Sequence, residues 1–259
     1  LFYFDGSDYQ AVPVNEKMIN LKSYKKKHGV IKSNSGASLI DLGDGIALLE
    51  FHSKSNSIGL DILQMINFAV DEVEKNFKGL VISNQGKNFS VGANLGMILM
   101  EAQDDNIFEL DFVVRQFQNA TMKIKYSSKP VVVAPFGMTL GGGAEVTLPA
   151  AHIQASSETY LGLVEAGVGL IPGGGGNKEL YMKHLKGIPN GVQIDYLNVA
   201  SKVFETIAMA KVSTSGEEAR ENNFLSMADG ISVNPDHLIY DAKQAALALA
   251  EAGYKAPIR

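Results

Sequence analysis

Three short segments of this chain combine small residues with the means to hold an anion: FSVGANL (residues 89–95), LGGGAE (140–145) and VEAGVGLIPGGGG (164–176). The first two each follow a stretch that reads as a buried strand. A glycine has no Cβ, so loops of this kind let backbone N–H groups approach a ligand closely. Where the loop also opens a helix, as residues 141–143 do ahead of AEVTLPA, the helix dipole adds positive potential. An anionic oxygen would be stabilised there, with the Glu145 carboxylate in the first helical turn beside it. Each piece alone has a plainer reading. A triple glycine serves tight crossings, and Glu145 in a first turn complements the dipole by about 0.3–1 kcal/mol. Their joint occurrence in this order favours a site.

Elements that alternate along the chain must position these loops. Residues 38–42 and 46–51 read as strands flanking LGDG, whose Asp44-Gly45 pair suits a hairpin turn. Ile62, Met65, Ile66, Ala69, Val73 and Phe77 recur at helical spacing and predict a helix over about 61–76. Residues 80–83 form a short buried strand, followed by the glycine-punctuated loop GKNFSVGANLG. A second amphipathic helix is expected over about 107–125, with Ile107, Leu110, Val114, Phe117 and Ile124 on one face. Strands follow at 131–134 and 153–155, and from about Gly176 the chain turns predominantly helical. The pattern is that of an α/β fold.

Composition narrows the function. The chain has 259 residues, 46% of them hydrophobic, enough for one large or two small domains. Its net charge of −5 offers no basic excess to neutralise nucleic-acid phosphates. The one basic cluster, within LKSYKKKHG (residues 21–29), reads as a solvated linker face. The chain has no cysteine, which excludes disulfides, thiolate catalysis and zinc–thiolate sites. Its five histidines are scattered without metal-ligand spacing, so no metal is expected. No apolar run approaches the roughly 20 residues that span a bilayer. A cytoplasmic protein is the plain expectation. The opening residues 1–37, mixed and weakly periodic, read as a linker or the tail of an absent upstream domain, with the main domain at 38–259.

The order and identity of the three segments resemble the enoyl-CoA hydratase/isomerase (crotonase) family. The resemblance covers roughly residues 40–245 and is strongest over 137–176, where GMTLGGGAE is followed by a glutamate and then LIPGGGG. More narrowly, the chain is similar to the C-terminal hydratase portion of Bacillus-type fused enzymes that join 3-hydroxyacyl-CoA dehydrogenase to enoyl-CoA hydratase. The resemblance implies a crotonase-like spiral of ββα units over about 38–175, then a helical region over about 176–259. It implies an oxyanion hole for the thioester carbonyl, formed by the N–H groups of Val91 and Gly142. It also implies an acid/base pair: Glu145, within GGGAE, and Glu165, seven residues before Pro172 of LIPG. The acyl-CoA substrate would run along Gly92, Ala93, Asn94 and Gly141 and beside HSKSNSIG, where Lys54, Asn56 and Ser57 lie. Valine at 91 stands where the family usually has alanine or glycine, and Asn94 replaces a frequent aspartate. The first bears on the width of the acyl pocket, the second on loop packing or CoA contacts. The implied activity is hydration of 2-enoyl-CoA in fatty-acid β-oxidation. No cofactor is implied; NAD would belong only to the upstream dehydrogenase domain. Trimers, or hexamers of two trimers, are the implied assembly, with residues 236–253 as one interface candidate.

Three rival readings stand beside this one. A 3,2-enoyl-CoA isomerase shares the oxyanion hole but relies on one glutamate, so the presence of both favours the hydratase. A nicotinamide-dependent oxidoreductase would need GxGxxG after an early strand, and the nearest match, GVGLIP from Gly167, ends in proline and lies late in the chain. A non-catalytic CoA-ester-binding domain would be marked by loss of a glutamate, and both remain.

Overall fold

A computed structural model describes residues 2–11, 15–186, 188–189 and 191–258. Twelve strands are found among them: β1 (Phe2–Phe4), β2 (Tyr9–Ala11), β3 (Lys32–Ser33), β4 (Ala37–Asp41), β5 (Ile46–Phe51), β6 (Gly79–Ser83), β7 (Val131–Val133), β8 (Gly137–Leu140), β9 (His152–Ser156), β10 (Thr159–Gly162), β11 (Val212–Ser213) and β12 (Gly230–Ser232). The helices are α1 (Leu21–His28), α2 (Leu60–Asn76), α3 (Leu95–Gln103), α4 (Ile107–Lys125), α5 (Gly142–Thr147), α6 (Gly176–Leu185), α7 (Tyr196–Ala208), α8 (Gly216–Glu221) and α9 (Leu238–Glu251).

Seven strands form the main sheet, in the order β12-β9-β7-β6-β5-β4-β3. From β12 to β5 all pairings are parallel, whereas β5-β4 and β4-β3 are antiparallel. The β4–β5 hairpin turns where expected, with Gly43, Asp44 and Gly45 all at positive φ. Beyond the hairpin each turn of the chain adds one parallel strand and returns through a helix, so the fold advances as a spiral. From β7 onward each turn also lays a strand in a second sheet, β11-β10-β8, in which β10 runs parallel to β8.

Apart from Glu50 and Ser83, the central strands β5, β6 and β7 are apolar, because both faces of the main sheet are covered. Side chains alternate between the faces. Ala47, Leu49, Leu80, Ile82, Val131 and Val133 meet α2 and α4 on one side. Ile46, Leu48, Val81 and Val132 meet α9 and α1 on the other. A third cluster joins α5, β9, β10, α6, α7 and α8. Helix α9 lies across β6, β7 and β9 of its own chain, with Leu238, Ile239, Ala242 and Ala246 buried. The helical region after Gly176 is present, with β11 and β12 inserted into it.

Folded structure reaches further back than residue 38. The N-terminus of α1 is capped by Asn20. The Leu21 N–H donates to Gln85 Oε1 at 2.7 Å, Gln85 Nε2 donates to the Ile19 carbonyl at 2.6 Å, and Leu21 itself is buried. Lys25, within the basic cluster, pairs with Glu50 at 2.6 Å. One buried leucine inside a lysine run leaves little periodic signal, which explains why this segment reads as a linker.

Candidate active site

The FSVGANL loop is zipped alongside β8. Phe89 and Ser90 donate N–H bonds to the carbonyls of Phe136 and Met138 at 3.0 Å each, and Leu140 N–H returns one to Ser90 at 3.0 Å. The chain then turns through Gly92 at φ 98°, where an added Cβ would lie 2.8 Å from the Leu140 carbonyl oxygen. Only glycine permits that approach. It brings residues 91–93 against the start of α5. Hydrogen bonds engage the N–H groups of Ser90, Gly92 and Gly141, but among the described residues the N–H groups of Val91 and Gly142 donate to no protein acceptor. Both residues line one cavity of about 220 Å³. Gly142 opens α5, so its N–H is one of the unpaired first-turn donors.

Glu145 lies one turn further along α5 and is 4% exposed. Its Oε1 accepts N–H bonds from Gly174 at 2.8 Å and Gly176 at 2.9 Å, so the glycines after Pro172 hold the carboxylate. Burial pushes the Glu145 carboxyl up to about 7, and the negative charge of Glu165 adds to the shift. The N–H groups of residues 174–176 pull the other way without winning.

Glu165 leaves β10 at the head of a 3-10 turn, Glu165–Val168. Both its carboxyl oxygens are buried, and neither accepts a hydrogen bond of good geometry. Burial raises its pKa too, weakly opposed by its own N–H and that of Val164. A buried carboxyl without a donor is expensive unless protonated or partnered. An added Cβ at Gly141 would stand 3.2 Å from Glu165 Oε1, which places this carboxyl beside the loop bearing Gly142. Glu145 and Glu165 line the same cavity as the two unengaged N–H groups.

Sequence-predicted residues divide into two groups. Val91, Gly92, Ala93, Gly141, Gly142, Glu145 and Glu165 all line the cavity, and Lys54, Asn56, Ser57 and Asn94 do not. Asn56, at φ 51°, is a brace: its carbonyl accepts from Ser90 Oγ at 2.7 Å and its Nδ2 donates to Asn88 at 2.9 Å. Ile58 N–H donates to the Gly92 carbonyl at 2.8 Å, so the Lys54–Asn56 turn and residues 57–58 are docked on the 89–93 loop. Ser57 accepts from Ser53 through its carbonyl at 2.8 Å. Asn94 caps α3, accepting from Met97 N–H at 3.3 Å. Lys54 is exposed and makes no ion pair among the described residues.

The apolar walls are not assigned by the sequence motifs. Leu95 and Ile98 of α3, Leu110, Val113, Val114 and Phe117 of α4, and Val168, Leu170 and Ile171 after β10 supply them. Leu110, Val114 and Phe117 share the helical face expected from their spacing, yet that face borders the cavity as well as the core. Among the described residues no group of three or more His, Cys, Asp or Glu side chains is placed to hold a metal ion, and no helix is long and apolar enough to cross a membrane.

The sequence model for the family described as "Enoyl-CoA hydratase/isomerase" matches residues 41–185. A Bacillus subtilis (strain 168) protein named "Probable 3-hydroxyacyl-CoA dehydrogenase" is 65% identical over 259 residues, covering 100% of this chain and 32% of that protein. A "Fatty acid oxidation complex subunit alpha" from Shewanella amazonensis is 34% identical over 154 residues, 55% of this chain and 21% of its own length. The chain thus spans a third or less of these curated relatives. Among solved structures, an enoyl-CoA hydratase from Polaromonas sp. JS666 superposes with a TM-score of 0.69 at 19% identity, covering 83% of this chain and 77% of that one. The enoyl-CoA hydratase of Bacillus anthracis gives a TM-score of 0.63 at 20% identity, over 84% and 76% of the two chains. These likenesses establish the crotonase fold, an α/β spiral with C-terminal helices, as the sequence resemblance implies.

Proposed function

The chain belongs to the enoyl-CoA hydratase/isomerase family, and from that premise we propose that it adds water to 2-enoyl-CoA thioesters to give 3-hydroxyacyl-CoA. One observation carries the proposal: two buried carboxyls with raised pKa values, Glu145 and Glu165, line one small cavity with two backbone N–H groups that have no protein acceptor. An isomerase or a passive CoA-ester binder has no need of the second carboxyl.

The chemistry follows from that arrangement. The thioester carbonyl lies between the N–H groups of Val91 and Gly142. As water's oxygen bonds to Cβ, electron density moves through Cα onto the thioester oxygen, and these donors stabilise it; losing one such donor typically costs about 2.7–4 kcal/mol. The ionised member of the glutamate pair takes the water's proton, and a proton passes from the pair to Cα. Every atom of the water ends in the product. The reaction is redox-neutral and the carboxyls serve as its acid and base, so the proposal includes no metal or redox cofactor. The CoA portion leaves past the braced Lys54–Asn56 turn, with Lys54 available to a phosphate. In a longer polypeptide like the Bacillus relative, hydride transfer with NAD would fall to other residues. We extend the proposal to a cytoplasmic β-oxidation role and to assembly as a trimer or as a hexamer of two trimers.

The test is the loss of the conjugated-thioester absorbance of crotonyl-CoA with the purified chain, with chromatographic identification of the product. 3-Hydroxybutyryl-CoA is expected. Turnover of 3-enoyl-CoA to 2-enoyl-CoA with no hydration would replace the reading with an isomerase. Binding without either reaction would leave a CoA-ester-binding domain.

A further inference from the structure

The four consecutive glycines at 173–176 have no side chains to fix their peptide planes, yet two of them hold Glu145. The carbonyl and the N–H of a trans peptide point in opposite directions, so a donor that pins the carbonyl on one side aims the N–H at the other. Three successive peptides of the loop are pinned in this way. The Gly173 carbonyl accepts from Gln118 Nε2 at 2.8 Å, and the N–H of that peptide, on Gly174, donates to Glu145 Oε1 at 2.8 Å. The Gly174 carbonyl accepts from Thr121 Oγ1 at 2.7 Å, and the N–H of that peptide, on Gly175, also favours the ionised form of Glu145. The Gly175 carbonyl accepts from the Glu179 N–H at 3.0 Å as α6 begins, and the N–H of that peptide, on Gly176, donates to Glu145 Oε1 at 2.9 Å.

The third donor is helix backbone, but the first two are side chains of α4. Thr121 is buried, and its hydroxyl has one proton to give. The Gln118 carbonyl lies 3.0 Å from that hydroxyl, the usual back-bond of a helical threonine, but the Gly174 carbonyl is closer at 2.7 Å. Among the described residues no other hydrogen bond reaches the carbonyls of Gly173 and Gly174. A loop that needed only a tether could take these donors at any carbonyl. Here they fall on two consecutive peptides whose N–H groups serve one buried carboxyl.

We propose that Thr121 and Gln118 are positioning residues for Glu145: from α4 they hold the 173–174 and 174–175 peptide planes so that the N–H groups of the loop meet its carboxylate. The link to hydration rests on the hydratase reading of the same site. Neither side chain lines the cavity, so each acts through the loop. Loosening the loop weakens hydrogen bonds to the ionised carboxylate, and Glu145 should then keep its proton to higher pH. Glu165 is the charged group that acts directly on Glu145. Beside the clamp, Lys123 and Lys125 of α4 pair with Asp71 and Glu179, and Lys178 of α6 joins Glu179; the substitutions below leave these pairs in place.

Thr121→Val keeps the shape of the side chain and removes its hydroxyl, Thr121→Ser keeps the hydroxyl, and Gln118→Leu changes an exposed side chain. Crotonyl-CoA hydration is followed between pH 6 and 9. The Glu145 carboxyl is also titrated directly by carbon-13 NMR, its signal identified by its absence in Glu145→Gln. Thr121→Val and Gln118→Leu should each lower kcat about ten-fold and leave KM within about two-fold of the parent. The high-pH fall in kcat/KM and the titration midpoint should both move up by about half a unit or more. Thr121→Ser should restore parent behaviour. Parent-like kcat and midpoint in both Thr121→Val and Gln118→Leu would overturn the clamp. So would a loss of kcat that Thr121→Ser shares, with the midpoint unmoved, because that is a packing effect. If Thr121→Val does not fold, Gln118→Leu decides: a raised midpoint supports the clamp and an unmoved one overturns it. Raised midpoints in a chain that hydrates no ester keep the clamp and remove the hydratase. Hydration by the parent with unmoved midpoints does the reverse.

Discussion

The floor and the mouth of this cavity are built on opposite terms. At the floor, Glu145 is 4% exposed, sits within a helix, and has Oε1 held by two N–H groups from residues 174 and 176. At the mouth, Glu165 heads a turn in which no residue is buried, and its carboxyl accepts no hydrogen bond of good geometry from the protein. Helix α3, also at the mouth, has no buried side chain. One carboxyl is therefore oriented by the fold, while the other has no protein donor of good geometry to orient it. Both have raised pKa values, chiefly through burial, and Glu165 raises that of Glu145 further. Pushed up to about 7, the Glu145 carboxyl is populated in both its protonated and its ionised form near neutrality. Such a pair can accept one proton and deliver another.

The strongest way to break this comparison is to remove each carboxyl's charge in turn. Glu145→Gln and Glu165→Gln should each lower kcat for crotonyl-CoA hydration by about 10³-fold, within the 10²–10⁴ range of general acid–base catalysis. The double variant should be little worse than either single one, because the two act as a unit. On the proposed hydration mechanism the reactive form holds one proton between the two carboxyls. As pH rises through about 7, the value to which Glu145 is pushed, that proton is lost and kcat/KM should fall. Multiplicative losses in the double variant, or kcat/KM independent of pH between 6 and 9, would show that the carboxyls do not work as a pair.

A smaller effect concerns stability, and its sign follows from the proton count. An unfolded Glu145 ionises near 4.5, whereas the folded one holds its proton to about 7. Between those values the native state binds more protons than the unfolded state, so stability falls as pH rises and levels off above about 7. The shift corresponds to about 3 kcal/mol at most. Glutamine at 145 keeps an acceptor for Gly174 and Gly176 and carries no charge. Denaturation of parent and Glu145→Gln at pH 4.5 and pH 8.5 should show the variant gaining relative to the parent by up to about 3 kcal/mol at the higher pH. Parallel pH dependences would mean that the floor does not strain its glutamate.

The floor is legible in the sequence because its demands fall on nearby residues. GGGAE places a carboxyl one turn after unpaired N–H groups; at the mouth, only the family spacing from Pro172 locates Glu165. The periodic face of α4 gives that helix its bounds, 107 and 125. What holds Glu145 is not legible, since Gly174 and Gly176 lie 29 and 31 residues away and meet it only in the fold. The strands β8 and β10, GMTL and TYLG, are too short and glycine-bounded to show alternation. Helix α3 escapes a sequence reading for the reason the mouth is distinctive. LGMIL is apolar on every side and fully buries none of its side chains, so it offers no polar-against-apolar contrast to detect.

That helix gives the finest test of the contrast between floor and mouth. Asn94 is its N-cap, with Oδ1 3.3 Å from Met97 N, and the helix has no buried side chain to hold it otherwise. Losing a cap of this type costs about 1 kcal/mol. If α3 opens independently of the core, Asn94→Ala should raise amide exchange over residues 95–103 about five-fold, the kinetic equivalent of that energy. Exchange in β6 and β7, and the global Tm, should stay as they were. Loss of protection spread equally over α3 and the central sheet would mean that mouth and floor unfold as one. Confinement to α3 would instead identify the mouth as a separate low-stability unit, able to adapt to different acyl chains while Glu145 and the N–H groups of Val91 and Gly142 hold their positions.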